Sequence, residues 1–203
     1  MRSDLYHKEL GLNRRFQTLF FVFGILGYMA YRKTIQAGNP IIHTKSEKVT
    51  DILSEETKII IEDLIDTMSK EDLIGLAAPQ IGENVRIFVS EIRETQYRKE
   101  GTDKLRVFIN PEITKISKET HEGYEGCGSV ASAQFFGPVI RPEEVTVSAV
   151  DENGKVFECS ASGLLARVIQ HEIDHLDGIL FHEKIADMKK VMSKEEYVKT
   201  LGK

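Results

Sequence analysis

The stretch Gln170-His171-Glu172-Ile173-Asp174-His175-Leu176-Asp177-Gly178 constrains this chain more than any other. It reads His-Glu-x-x-His. On a helix, His171 and His175 stand four residues apart on one face, where two imidazoles grip one metal ion. Glu172 stands beside them, placed to take a proton from water at the ion. The preceding Leu164-Leu165-Ala166-Arg167-Val168-Ile169 is helix-compatible and mostly apolar, so the helix is expected to be buried. Gly163 and Gly178 bracket it, and glycine commonly ends helices. A buried helix with two His, a Glu and two Asp needs a compensating partner, because unpaired polar groups are costly to bury. A metal ion would supply one.

The other features decide how far that reading goes. The chain has 203 residues, about one domain, and is 41% apolar and 29% charged, which suits a soluble globular protein. With a net charge of −5 and no basic stripe, it is not expected to bind nucleic acid itself. Two cysteines, Cys127 and Cys159, do not make a disulfide framework and suit a reducing cytoplasm.

Residues 1–17 are polar. An apolar run from Leu19 to Tyr31 follows, between Arg14-Arg15 and Arg32-Lys33. It falls short of the roughly 20 residues of a membrane helix. Three readings fit 18–31: a short membrane anchor, an uncleaved signal-like segment, or sequence upstream of a true start at Met29. The last is preferred, because the globular pattern begins only after it. Residues 1–31 are therefore set apart as an extension, 32–186 as the catalytic domain, and 187–203 as a tail.

Thr34 to Val49 reads as an extended arm. Ser54 is a candidate N-cap, with Glu55 and Glu56 in the first turn. Ile61, Leu64, Ile65 and Met68 give an apolar face, with Ile60 at its margin, on a helix ending near Ser69. Leu73-Ile74-Gly75-Leu76-Ala77-Ala78-Pro79-Gln80-Ile81-Gly82 is rich in small residues and predicts a tight segment where backbone approaches something closely. Strands are predicted at 86–90, 105–109, 113–116, 145–150 and 155–159. The last two flank Asp151-Glu152-Asn153-Gly154, a hairpin signal. Between strands lies Glu122-Gly123-Tyr124-Glu125-Gly126-Cys127-Gly128-Ser129-Val130, where two glycines leave accessible backbone around the cysteine. Residues 191–201 are expected to form a peripheral helix. The fold class is α+β, with mostly antiparallel strands around a central buried metal-binding helix.

Two His leave the metal short of a ligand. In His-Glu-x-x-His-x-x-Gly-x-x-His the third His position holds Phe181, and His182 comes one residue late. Glu195 and Glu196 lie in a segment that reads as a solvated helix face. Cys127, between two glycines, is the third candidate, since a metal-bound thiolate is well precedented.

Gly75-Leu76-Ala77-Ala78-Pro79-Gln80, then Glu125-Gly126-Cys127-x-Ser129, then Gln170-His171-Glu172-x-Asp174-His175-Leu176-Asp177-Gly178 resemble, in order, the motifs of the peptide deformylases. The resemblance runs from about Ile35 to about Ile185. It implies an enzyme that removes the formyl group from the N-terminal formyl-methionine of new polypeptides, near the ribosome and as a monomer. It implies metal ligands Cys127, His171 and His175, ferrous iron (Fe2+) as the metal, and Zn2+, Ni2+ or Co2+ as substitutes. It implies Glu172 as general base, with the Gln80 side chain and the Gly128 backbone N–H as oxyanion donors. Ile74, Gly75 and Gly126 would meet the peptide, Val168 would help line the methionine pocket, and Arg141 would pair with Asp174.

The chain departs from the family pattern after the cysteine, where Gly128 replaces Leu. It also carries Leu73 for the first Gly of Gly-x-Gly-x-Ala-Ala, Ala131-Ser132 for Pro-Gly, and a longer loop to Arg141. These departures touch the cleft, not the ligands. The expectation is a looser site at Gly128, unless Phe135 and Phe136 fold into the vacated space. The competing functions are an unrelated zinc endopeptidase, and a deformylase-like protein of weak or altered activity.

Overall fold

A computed structural model describes residues 31–96 and 98–201. The expectations for residues 1–30 lie outside the described residues. In chain order the regular elements are α1 (Glu55–Lys70), β1 (Gly75–Ala77), β2 (Ile87–Ile92), β3 (Asp103–Ile116), β4 (Thr120–Glu125), β5 (Phe135–Pro142), β6 (Glu144–Val150), β7 (Val156–Ser162), α2 (Gly163–Leu176), β8 (Met192–Ser193) and α3 (Lys194–Leu201). The strands form an antiparallel five-stranded sheet, β1-β2-β3-β6-β7, and a three-stranded sheet, β4-β5-β8.

The larger sheet is buried on both faces over β1–β3. Side chains alternate along a strand, so neighbours serve different cores. Leu76, Ile87, Val89, Val107 and Ile109 point to α1 and pack on Ile60, Ile61, Leu64 and Met68. Ala77, Phe88 and Phe108 point the other way, towards Ala166, Ile169, Ile173 and Leu176 of α2. This explains the unbroken apolar run Ile87-Phe88-Val89. The stripe of α2 that fills this core leaves its other flank free to carry His171, Glu172 and His175. The expected α+β architecture, with mostly antiparallel strands around a buried helix, is what forms.

Local signals placed α1 well. The Ser54 side chain accepts the Thr57 N–H at 3.2 Å, and Asp72, at φ 53°, follows the helix. The apolar face is rotated from the expectation: Ile60 is buried and Ile65 only partly so. The arm is tied down from its first described residues. The Tyr31 hydroxyl donates to Glu71 at 3.2 Å, and Arg32 pairs with Asp63 at 2.7 Å. It is not wholly extended, since Pro40–His43 form a 3-10 turn capped by Asn39.

Several elements differ from the sequence reading. The strands expected at 105–109 and 113–116 are one strand, β3. Asn110-Pro111 marks a bulge in it, where pairing passes from β2 to β6. Asn110 takes φ 51° there, and its side chain accepts the Val49 N–H and donates to the Val49 carbonyl. β4 and β5 were not expected. β4 has no apolar alternation, and β5 contains Gly137, Pro138 and Pro142, which read as loop residues. At the C-terminus, β8 pairs with Phe135 and Phe136, and α3 begins three residues later than expected. Tyr197 is half-buried. It stacks on Phe136 at 4.3 Å and lies 5.8 Å from Tyr124.

Phe88 and Phe108 stack at 4.4 Å between the sheet and α2, both fully buried. Phe108→Ala is expected to lower unfolding free energy by about 3–5 kcal/mol, because the cavity lies under the helix that cannot collapse onto it. Denaturant unfolding at neutral pH measures this.

Candidate metal centre

Three elements bring the site together. α2 supplies His171 and His175 one turn apart. The segment after β4 supplies Cys127. The 3-10 turn Ala78–Ile81 supplies Gln80. The ligand atoms of Cys127, His171 and His175 lie within 4.8 Å of one another, and Cys127 Sγ is 3.2 Å from His175 Nε2. Both cysteines are free thiols, and Cys159 lies in the core beyond α2. One cysteine sulfur outside any disulfide and two imidazoles, with Cys127 and His175 buried and His171 partly so, suit a divalent transition metal. The open position expected around Cys127 is not found: Cys127 and Gly128 are buried. Of the other positions weighed for a third ligand, Phe181 is a core residue, His182 is not among the side chains that converge, and Glu195 and Glu196 are exposed on α3.

His171 is held by a carboxylate. Glu125, the last residue of β4, accepts from His171 Nδ1 at 2.9 Å, leaving Nε2 for an ion. Arg141 donates to both Glu125 oxygens, at 2.6 and 2.8 Å, and Arg167 adds a bond at 2.7 Å. Arg141 also reaches Asp174 at 2.8 Å, the pair that the resemblance implied. Burial works against the Glu125 charge, but the bonds to Arg141 and His171 outweigh it and hold the carboxyl well below its ordinary value. The two aspartates of the motif are also partnered by the protein. Asp174 accepts from Lys184 as well, and Asp177 from Arg86 at 2.8 Å. Their presence on the helix therefore needs no metal, contrary to the argument from burial.

Glu172 differs from Glu125. It is 3% exposed, and its Oε2 has no hydrogen-bond partner. Burial pushes its carboxyl up to about 7. Glu125 and Asp174 add to the shift, while His171 and Arg141 oppose it. A carboxylate poised near neutrality beside a metal cluster is suited to moving protons. His175 is kept neutral by burial, reinforced by His171 and Arg141. His171 moves the other way: burial opposes its charge, but hydrogen bonds to Cys127 and Glu125 prevail. Binding an ion requires His171 to shed that proton, so metal affinity rises with pH.

The remaining expected residues gather around this cluster. The Gln80 amide NH2 faces Cys127 Sγ at 3.6 Å and Ser129 Oγ at 3.3 Å, and its carbonyl accepts the Ala77 N–H at 2.8 Å. Gly75 is needed for close approach: a Cβ there would lie 2.9 Å from both Glu172 Cδ and Val168 Cγ1. Val168 thus lies under β1, next to the general-base candidate. β1 ends one sheet and β4 ends the other, so Ile74 and Gly126 flank two unpaired strand edges. The Ile74 carbonyl is already taken by the Glu91 N–H at 3.0 Å.

Gly128 corrects the expectation of a loose wall. A Cβ there would meet Leu73 Cδ1 at 3.1 Å and Thr34 Cγ2 at 3.6 Å. The space is filled by Leu73, the residue at another departure from the family pattern. Phe136 packs on Gly126 instead, and Phe135 on Phe181. The two departures are one exchange of side chain across the cleft. Sequence reasoning also gave no role to Glu125, though it lies in the cysteine motif, or to Arg167. Their signal was an acidic residue within a glycine-rich run and an arginine in the apolar part of α2.

A family profile described as polypeptide deformylase matches residues 31–191. A peptide deformylase from Treponema pallidum is 39% identical over 165 residues, 81% of this chain and 94% of that one. Peptide deformylase 2 from Clostridium perfringens is 40% identical over 168 residues, 82% of this chain and all of that one. Among solved structures, a peptide deformylase from Acinetobacter baumannii with Met-Ala-Ser bound superposes with TM-score 0.72 and 31% identity. It covers 76% of this chain and 98% of its own. One from Ehrlichia chaffeensis gives TM-score 0.71 and 30% identity, covering 85% and 97%.

Two outcomes follow from this geometry. Glu125→Gln keeps the shape but leaves Arg141 and Arg167 facing a neutral group, at a cost of about 3 kcal/mol near neutral pH. Because the fold holds Glu125 below its ordinary 4.5, its stabilisation is complete above that value and is lost as pH falls through the folded value. The Tm difference between variant and wild type should therefore narrow in acid, and metal affinity should fall by about tenfold or more. For the exchanged pair, Gly128→Leu alone should destabilise by about 1–3 kcal/mol through overpacking. Adding Leu73→Gly should restore stability and activity, a coupling of about 1 kcal/mol or more in a double-mutant cycle.

Proposed function

The chain belongs to the peptide deformylase family, and from that premise we propose which of its residues carry the reaction. It is a metal-dependent hydrolase that removes the N-formyl group from formyl-methionine of newly made polypeptides and releases formate. Membership sets aside an unrelated zinc endopeptidase. The exchange between Leu73 and Gly128 keeps the cleft wall filled and speaks against weakened activity.

Cys127, His171 and His175 would hold the ion; the observation that carries this is the convergence of their donor atoms within 4.8 Å. The ion is proposed to be Fe2+, with Zn2+, Ni2+ or Co2+ as substitutes. When bound, it supplies Lewis-acid polarisation and lowers the pKa of water. Glu172 takes the proton from the attacking water and returns it to the departing amine, a cycle suited to a carboxyl near 7. The Gln80 amide and the Gly128 N–H stabilise the oxyanion that develops on the formyl oxygen. The peptide adds as a strand between the edges of β1 and β4, beside Ile74, Gly75 and Gly126. Its methionine side chain lies against Val168. The Met-Ala-Ser bound in the Acinetobacter baumannii relative supports a peptide that begins with methionine as the ligand.

The substrates are formyl-methionyl nascent chains, met near the ribosome in the cytoplasm. The enzyme is proposed to act as a monomer, and its net charge of −5 suits one that does not bind nucleic acid itself. Among the described residues no helix is long and apolar enough to cross a membrane. Anchoring through residues 18–31 would place the protein in membrane fractions, and cell fractionation decides it.

Formate release from formyl-Met-Ala-Ser tests the whole reading. Wild type should turn over and Cys127→Ala should lose its metal. Glu172→Gln should keep metal while kcat falls by about 10²-fold or more. A fully active Glu172→Gln enzyme would remove Glu172 from the mechanism.

A further inference from the structure

The turn after Cys127 is built at a conformational cost. Ala131, Ser132 and Ala133 have φ of 49°, 50° and 56°. Three consecutive non-glycine residues thus occupy the left-handed region, where Cβ crowds the following carbonyl. Such strain persists only where the surroundings over-determine it.

Here the turn brings two donors onto one carbonyl. The N–H groups of Val130 and Ala133 both donate to the Cys127 oxygen, each at 3.0 Å. That oxygen and the Gly128 N–H belong to one planar peptide unit and point in opposite directions. Clamping the carbonyl from the turn therefore fixes the direction of the Gly128 N–H.

Among the described residues, the side chain of Gln36 braces the turn from outside, beside Thr34 Oγ1, which donates to the Gly128 oxygen at 3.3 Å. Gln36 Oε1 accepts the Ser132 N–H at 3.0 Å, and Gln36 Nε2 donates to the Gly128 oxygen at 2.8 Å. The backbone on either side of Gln36 is tied to the same region. The Ile35 N–H donates to the Gln80 carbonyl, and the Ala37 N–H to the Ser129 carbonyl, both at 2.8 Å. One amide thus spans the strained turn and the residue proposed as oxyanion donor.

We propose that Gln36 is a positioning residue for catalysis: it holds the left-handed turn Ala131–Ala133 closed and so keeps the Gly128 N–H aimed at the developing oxyanion. This rests on the deformylase reading of the site. It acts through Gly128, a residue with no side chain to restrain its own backbone.

The test uses the metal-loaded full chain with formyl-Met-Ala-Ser. Gln36→Met keeps length and packing but loses both hydrogen bonds. Gln36→Glu keeps the acceptor for Ser132 and loses the donor to Gly128. In both, kcat should fall by about tenfold, because oxyanion stabilisation depends on preorganisation. KM should stay within about twofold, since ground-state binding is untouched. Metal content and Tm should match wild type, while residues 127–133 should exchange amide hydrogens faster. A wild-type kcat in either variant, a loss confined to KM, or unchanged exchange overturns the proposal. If Gln36→Met does not fold, Gln36→Glu carries the comparison. A wild type that releases no formate sinks the parent reading alone, and the exchange measurement, which needs no turnover, still decides the positioning.

Discussion

The buried carboxylate of Glu125 is the interaction on which the rest of the site depends. It sits at the end of β4, in the smaller sheet, and binds Arg141 on β5 and both Arg167 and His171 on α2. A buried charge is tolerable only when it is fully partnered. These partners come from different elements, so satisfying Glu125 forces the small sheet against the helix. That docking sets the distance between Cys127, two residues beyond Glu125, and the two histidines. The same contact orients the His171 ring, so a single group serves both assembly and ligand geometry.

The helix divides its labour by face. Ala166, Ile169, Ile173 and Leu176 fill the core against the large sheet, while His171, Glu172 and His175 lie on the other flank. Hydrophobic burial on one flank holds the costly polar groups on the other. Glu125 and Glu172 then acquire opposite characters from their surroundings alone. The first is surrounded by guanidinium groups and stays charged. The second faces Gly75 and Val168, and burial brings its carboxyl up to about 7. Two like residues receive two roles because one is hydrogen-bonded to its counter-charges and the other feels them only at a distance, against a larger cost of burial.

The departures from the family pattern belong together. Leu73 occupies the space that Gly128 leaves, and the arm at Thr34 to Ala37 ties down the backbone on which Gly128 sits. The loop with Ala131-Ser132 adopts left-handed conformations that glycine would take more easily, and it is held by hydrogen bonds from both sides. The cleft is thus rebuilt from several elements at once, which explains why Gly128 taken singly suggested a looser site.

Much of this protein was legible in its sequence. The spacing of His171 and His175, the N-cap at Ser54, the apolar run of β2 and the turn before β7 are local patterns, and each is set by periodicity or by a side chain bonding its own backbone. The order of the three motifs sufficed to name the family, and it pointed to three side chains whose donor atoms the fold brings together. Other features needed the folded chain. β4 and β5 carry few strand signals, because their pairing and their contact with α2 override local propensity. The roles of Glu125 and Arg167 could not be read, since a charge declares its partner only when distant segments meet. Whether Gly128 opens the cleft or is obliged by it depended on where Leu73 points, 55 residues earlier in the chain. Sequence by itself determined which chemical groups this protein possesses and the local elements that bear them. Tertiary structure alone decided which groups face each other, because burial, charge pairing and close packing act between residues that the chain order keeps apart.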